Sequence, residues 1–265
     1  MTHVLPATDD DLDPPLVLLH LWGVPPRRVP RALLRMGTSR ARLRGVPGLQ
    51  FAKLLGTGSG RSFTVRDADP LHWGLLTVWR RPADADAFQA GGAALRSWGR
   101  IADECLVVRL RPISARGSWA GRQPFGDPTP RRTSGPVASI TRARISPRQA
   151  LTFWRAVPPV SHDLHQVAGL RLAIGIGEAP VGLQGTFSLW DDAAALTAFA
   201  HRREPHLEAI RRTHAERWYL EELFARFEVL DVSGTLDGEH PFTDRTTHHP
   251  TTHDPGHGSR REDES

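Results

Sequence analysis

The chain has 265 residues, 39% of them hydrophobic and eight of them tryptophan, so it is long enough and apolar enough to build a sizeable core. Its formal net charge is +5, but acidic residues are scattered among the arginines, which argues against a nucleic-acid-binding protein. The single cysteine, Cys105, excludes an intramolecular disulfide.

The two ends of the chain are polar. The opening MTHVLPATDDDLD is acidic and lacks the apolar core of a signal peptide, and no apolar run approaches the roughly 18 residues of a membrane span. We therefore expect a cytoplasmic protein. Residues 1–15 and 237–265 lack periodicity and are predicted to be disordered; the histidines of the second tail have no accompanying ligand set that would indicate a metal site.

Between these tails the first half of the chain predicts the order βαββαβ. Short apolar runs indicate strands, and longer amphipathic segments indicate helices. The predicted elements are a strand at 16–22, a helix at 28–44, strands at 48–55 and 72–79, a helix at 83–103 and a strand at 105–114.

The second half repeats this order. It predicts a strand at 137–144, a helix at 147–157, strands at 169–175 and 184–190, helical residues at 193–200 and again from 206, and a strand at 224–232. Anchor residues align pair by pair, as Gly48 does with Gly169 and Trp79 with Trp190. An internal repeat of this length predicts a duplicated unit.

A single βαββαβ unit places its helices on one face of an antiparallel sheet and leaves the other face bare. Two copies can cover these bare faces against each other. We therefore predict an α+β fold of two tandem ferredoxin-like βαββαβ repeats that form a fused dimeric α/β barrel. The first repeat spans 16–119, a linker rich in proline and glycine spans 120–136, and the second repeat spans 137–236.

The most strongly patterned helix is predicted over Pro205–Phe227. Leu207, Ile210 and Trp218 fall on one face with His214 among them, and His206 lies in the first turn. The corresponding helix of the first repeat, 89–103, contains no histidine, which indicates a site built in one half. One imidazole is too few for zinc and sufficient for haem iron, although a satisfied packing histidine is the alternative.

Other motifs offer less chemistry. The glycine-rich Gly56–Gly60, echoed by Gly175 and Gly177, is not followed by a predicted helix and is interpreted as a tight strand connection or bulge rather than a phosphate cradle. RNA-recognition domains share the βαββαβ order, but no strand here carries their aromatic motif. Ser118 and Ser188 lack the setting of a nucleophile, and Cys105 lies within a predicted strand.

Five segments, taken in order, resemble the spheroidene monooxygenase family, the acyclic carotenoid 2-ketolases. They span 36–66, 114–125, 138–158, 172–200 and 205–230. Within them Trp119, Gly177-Glu178, the Pro205-His206 pair and Ala225-Arg226-Phe227 fit the family pattern. His214 matches no family position, and residues 19–34 fit only loosely.

The resemblance implies an O2-dependent haem (iron) enzyme of carotenoid biosynthesis, which uses electrons from a ferredoxin-type donor to oxygenate a long acyclic polyene to a ketone. It also implies that fold relatives include aldoxime dehydratases and chlorite dismutases. In this hypothesis His206 is the metal ligand, with His214 as second choice, and Arg142 or Arg226 pairs with a haem propionate. Trp154, Phe187 and Trp190 would line an apolar pocket.

Two alternatives stay open. One keeps haem but changes the reaction to oxime dehydration or peroxide-driven oxidation. The other is a barrel without catalysis that binds an apolar small molecule, with its histidines satisfied by backbone carbonyls. The oligomeric state and a peripheral membrane contact that would collect a lipophilic substrate are also left open.

Overall fold

The computed structural model describes residues 15–58, 68–145, 167–178, 185–200 and 219–243. The strands are β1 (Leu16–Gly23), β2 (Leu49–Gly58), β3 (Ala68–Trp79), β4 (Glu104–Gly117), β5 (Val137–Ile145), β6 (Leu170–Gly177), β7 (Gly185–Trp190) and β8 (Tyr219–Gly234). The helices are a 3-10 turn (Pro26–Arg28), α1 (Val29–Leu43), α2 (Pro82–Gly91) and α3 (Ala93–Gly99), and residues 193–200 are also helical.

The strands of the described residues close into a barrel in the order β1-β3-β2-β6-β7-β5-β8-β4, and each neighbouring pair is antiparallel. Four neighbouring strands come from each predicted repeat. Two four-stranded sheets have therefore joined edge to edge, which removes the free edges that each would expose alone. The predicted fold class is confirmed.

The duplication extends to side-chain packing. In the first repeat the rings of Trp79 and Phe88 lie 4.9 Å apart, and in the second those of Trp190 and Phe199 lie 5.0 Å apart with nearly the same tilt. Each tryptophan ends a strand and packs against a helix. The anchor pairs that align in sequence therefore occupy equivalent places in the two halves.

Alternation along the strands separates two cores. One set of apolar side chains points into the barrel, among them Val17, Leu19, Val108, Ile140 and Phe187. The other set points outward in the first repeat, and its largest members are Trp22, Trp73 and Trp79. It is covered by α1, α2 and α3, and Trp98 of α3 packs into the same cluster. Burial on both sides explains why every residue of β1 is buried.

The glycine-rich segment lies at the junction of the two repeats. Gly56 pairs with Gly177, and Gly58 pairs with Gly175, where β2 meets β6. The ladder between β2 and β3 shifts register after Gly56. The predicted bulge is therefore present, and these glycines serve strand pairing.

The strand predicted at 224–232 is confirmed, but it begins earlier, so the helix predicted over Pro205–Phe227 is wrong from Tyr219 onward. Residues Tyr219–Gly234 form β8, which pairs with both β4 and β5. Leu223, Ala225 and Phe227 alternate into the barrel interior, so a period of two overrides the helical propensity of this segment. The helix predicted over 83–103 is also interrupted, because Gly92 takes an extended conformation between α2 and α3.

Two flanking segments contribute to the barrel core. Phe125, in the predicted linker, is fully buried, and its ring lies 4.9 Å from that of Phe227. Beyond the predicted boundary at residue 236, Phe242 packs against the same interior cluster. The predicted disordered tail is therefore wrong for the residues up to 243, which have defined contacts.

Candidate functional site

Charged residues occupy interior-facing positions beside the end of β6. Arg142 donates to Glu221 Oε2 at 2.7 Å and to Glu178 Oε1 at 2.8 Å, and Lys53 Nζ pairs with the other oxygen of Glu178. The Arg142 side chain is 4% exposed. We call Lys53, Arg142, Glu178 and Glu221 the interior charge network; its two cations balance its two carboxylates.

Strand alternation explains how these cations reach the interior. Lys53 stands between Phe51 and Leu55 on β2, and both of those side chains point into the barrel. Arg142 follows the interior residue Ile140 by two positions on β5. In the other repeat the equivalent positions hold Ile174 and Leu21, so each repeat contributes one cation where its counterpart is apolar.

Neighbouring donors keep both carboxylates of the network ionised. Burial acts to raise the pKa of Glu221, but the N–H of Gly121 and the guanidinium of Arg142 outweigh it and lower that pKa to about 2. Burial also acts to raise the pKa of Glu178, but hydrogen bonds from Lys53 and from the Trp119 indole, at 2.6 Å, lower it. A buried network in which each carboxylate faces a cation fixes the geometry of the side chains around it.

The network determines where Arg142 points. Its guanidinium is held inside the barrel by two carboxylates and lies 5.2 Å from the Trp119 ring. Both of its carboxylate partners lie inside the barrel, and its predicted pairing with a haem propionate stays a prediction. Arg226, the other candidate, is exposed on the outer side of β8, where it pairs in register with Ser139 of β5.

The outer face of the second repeat differs from that of the first. We call its small residues on β5, β6 and β7 the small-residue face: Ser139, Thr141, Ala143, Ala173, Gly175, Thr186 and Ser188. The equivalent residues of the first repeat are Leu18, His20, Trp22, Ala52, Leu54, Leu75 and Thr77. Thr141 is exposed, whereas the equivalent His20 is 3% exposed. Five large side chains of one repeat are therefore small in the other, so the described residues of the second repeat fill less volume on this face.

Phe187 and Trp190 do not share a pocket. Phe187 is fully buried in the barrel interior, whereas Trp190 packs outside the barrel against Leu196 and Phe199. They are three residues apart on one strand and so point to opposite faces. The proposed ligands His206 and His214, together with Trp154, lie outside the described residues, and their roles stay predictions.

A second cluster of titratable residues lies near the start of β4. His72 Nε2 is 3.3 Å from Asp237 and 3.7 Å from Glu104, and its Nδ1 is 2.6 Å from Asp69. Glu104 accepts the N–H groups of Asp237 and Gly238, as Glu221 accepts that of Gly121 at the equivalent turn. Because both glutamates cap matching turns, this cluster is explained by the duplicated fold.

Comparison with known proteins places the chain in a family. No model of a protein family matches the sequence. The chain is 37% identical to spheroidene monooxygenase of Rhodobacter capsulatus over 222 residues, which are 82% of this chain and 90% of that protein. It is 42% identical to spheroidene monooxygenase of Rubrivivax gelatinosus over 195 residues, 73% of this chain and 74% of that protein.

The chain belongs to the spheroidene monooxygenase family. It is accordingly an oxidoreductase of the monooxygenase type. Among solved structures, an aldoxime dehydratase in complex with butyraldoxime aligns over 91% of this chain and 90% of that one, with a TM-score of 0.53 and 12% identity. A second aldoxime dehydratase gives a TM-score of 0.50. At such identity the likeness shows a shared fold alone.

Sequence reasoning missed both the interior charge network and the small-residue face. A signal for the first was Lys53, the single lysine of the chain, within an apolar strand. A signal for the second was available once Gly48 and Gly169 had aligned the repeats, because the outward positions of the two halves could then be compared. The described part of the chain contains no helix long and apolar enough to cross a bilayer.

Proposed function

We propose that this monooxygenase is haem-dependent and that it oxygenates an apolar, polyene-like substrate to a ketone with O2 and external electrons. The haem would lie against the small-residue face of the second repeat. The observation that carries this proposal is the loss of large side chains from that face, in the repeat whose sequence also contains His206 and His214.

The residues of this face fit a flat macrocycle. The methyl groups of Ala143 and Ala173 extend little above the sheet, and Gly175 has no side chain. A planar ring system could therefore approach the backbone closely. Serine and threonine hydroxyls lie beside them. Arg226 supplies an exposed guanidinium on the same outer side, with the planar geometry that suits a carboxylate such as a propionate. Together these features match a cofactor with one apolar plane and a charged edge.

The chain's part in the reaction would be binding and orientation. Bound haem supplies the activation of O2. His206, or His214, would hold the iron, and Arg226 would fix the orientation of the ring plane through a propionate. The interior charge network keeps β2, β5 and β8 in register next to this face. Apolar surroundings would bind the hydrocarbon substrate and exclude water from it.

Haem binding can be tested by placing large side chains on the small-residue face. Thr186→Leu together with Ala143→Trp copies Leu75 and Trp22 of the first repeat onto the small-residue face. In a hemin titration followed by the Soret band, we expect wild type to bind and this variant to lose binding by tenfold or more, about 1.4 kcal/mol. Thr133→Leu, in the loop before β5, is the matched control and should bind as wild type does.

Ligand assignment is tested separately. His206→Ala should abolish the Soret shift, and His214→Ala should do so only if His214 is the ligand. If both variants and the filled-face variant take up hemin like wild type, the haem proposal is wrong. With bound haem in place, a turnover that needs both O2 and an electron donor would distinguish the monooxygenase reaction from oxime dehydration and from peroxide-driven oxidation.

A further inference from the structure

A long stretch at the start of the chain contains no acidic residue. From 14 to 66 the sequence has nine arginines and one lysine, and seven of these arginines fall between 27 and 44, on and around α1. The positive charge of the protein is therefore concentrated here, contrary to the scattered distribution expected from the overall composition. Such a concentration indicates a surface for an anionic partner.

The orientation of α1 determines which residues face outward. Ala32 and Ser39 are fully buried, seven positions apart, and fix the inner side of the helix. The opposite side carries the exposed Pro30, Leu34, Gly37 and Ala41, so the outermost ridge is uncharged. Leu34 is 66% exposed and the neighbouring Leu33 is 47% exposed. A solvent-facing ridge would ordinarily be polar.

Exposed arginines flank this ridge on both sides. Arg40 lies on one side and Arg31 on the other, and the exposed Arg27 and Arg44 lie just beyond the two ends of α1. Among the described residues, the arginine of this region that pairs with a carboxylate is Arg28, which contacts Asp103. Arg35 and Arg42 instead bond to a backbone carbonyl and a hydroxyl. The pKa of Arg35 is lowered by burial and by the charges of Arg42, Arg100 and Arg31, as expected for a dense cationic cluster.

We propose that α1 docks the protein on an anionic membrane surface, with Leu33 and Leu34 inserted between headgroups and the flanking arginines on lipid phosphates. A helix lying in the interface plane has this arrangement, an apolar ridge bordered by cations. Nucleic acid would meet the arginines but would leave the leucines in water. This surface goes beyond the proposed function, and it would give an apolar substrate a short path from the bilayer.

The docking test is vesicle sedimentation with the full chain, which requires neither haem nor substrate. We expect wild type to bind vesicles of phosphatidylcholine mixed with phosphatidylglycerol at least tenfold better than vesicles of phosphatidylcholine alone, and added salt should weaken this binding. Arg31→Gln with Arg40→Gln should lower the affinity about tenfold or more. Leu34→Ser should lower it severalfold without changing the net charge.

The matched control is Arg131→Gln with Arg132→Gln, which removes the same charge from the loop after β4. It should keep binding within about twofold of wild type. Equal loss in this control would mean that overall charge, not α1, drives binding, and would overturn the proposal. So would wild-type protein that ignores both vesicle types, in which case an acidic protein or a nucleic acid is the better occupant. All variants are at exposed positions, and unchanged thermal midpoints confirm that they fold.

Discussion

The two repeats share one backbone plan but use it differently. In the first repeat the outer face of the sheet is filled by Leu18, His20, Trp22 and Leu75, and α1, α2 and α3 cover it. In the second, Ser139, Thr141, Ala143 and Thr186 stand at these places. The first half is therefore packed as a structural support, whereas the described residues of the second fill less volume at these positions. Large buried side chains contribute to stability, so their absence from these positions is the difference on which the proposed haem site rests.

The turns that follow the last strand of each repeat also differ in their surroundings. Glu104 caps the turn at Asp237 and Gly238 and has His72 as its cationic neighbour, whereas Glu221 caps the turn at Gly121 and has Arg142. Histidine as a residue type changes charge near neutral pH and arginine does not, so the two caps have neighbours of different kinds. Substitutions that copy one repeat onto the other can test each of these differences.

The largest expected effect is at Arg142. Arg142→Leu copies Leu21 of the first repeat but leaves Glu178 and Glu221 without their shared partner inside the barrel. Breaking a buried ion pair from one side costs about 3–5 kcal/mol, which we expect as a loss of unfolding free energy in urea. Arg111→Leu removes a half-exposed partner of Glu228 and should cost only about 0–1 kcal/mol. Similar losses in the two variants would show that the interior network contributes no more than a surface pair.

The next largest effect on stability is expected from His20, and it appears only as the pH becomes acidic. Burial lowers the pKa of His20 to about 4 from an ordinary value of 6.5, and its Nδ1 has no hydrogen-bond partner in the described structure. The folded state therefore binds fewer protons than the unfolded state, so stability is lost as pH falls from about 6.5 toward 4. Between pH 7 and pH 5 wild type should lose about 2 kcal/mol through this group.

His20→Leu should remove this acid-side loss, measured as the change in urea midpoint between the two pH values. Thr141→Leu, at the equivalent exposed position of the second repeat, should retain it. If the wild type and His20→Leu lose stability in parallel between pH 7 and pH 5, His20 is not the group responsible.

Much of the fold could be predicted from the sequence because it depends on local periodicity and on a repeated pattern. Apolar runs identified most of the described strands, and the Trp79 and Trp190 anchors identified the duplication. The segment after Trp218 was misread because Glu, Leu, Ala and Arg are good helix formers. Its pairing with two strands distant in sequence decides the structure, and no window on the sequence contains that pairing.

The candidate site was less predictable. Lys53 and Glu221 are 168 positions apart in sequence, and no motif links either to Arg142 or Glu178. The four residues of the interior charge network come together because barrel closure brings β2 next to β6 and β5 next to β8. Phe187 and Trp190 were assigned to one pocket as part of the family resemblance, although strand alternation alone would have separated them.

The smallest expected effect is at His72, on the alkaline side. A hydrogen bond to Asp69 raises the pKa of His72 despite its burial, and Asp237 and Glu104 add to this increase. Its stabilisation is therefore complete below about pH 6.5 and is lost as pH rises through the folded pKa. Because Asp237 is largely exposed, we expect a loss of only about 0.5–1 kcal/mol between pH 6 and pH 9, read from urea midpoints. His72→Asn should lack this pH dependence, whereas His20→Leu should keep it. If stability falls equally with alkaline pH in wild type and in His72→Asn, His72 is not the group responsible. The cap at Glu104 would then be as insensitive to pH as the cap at Glu221, and the two repeats would not differ in this respect.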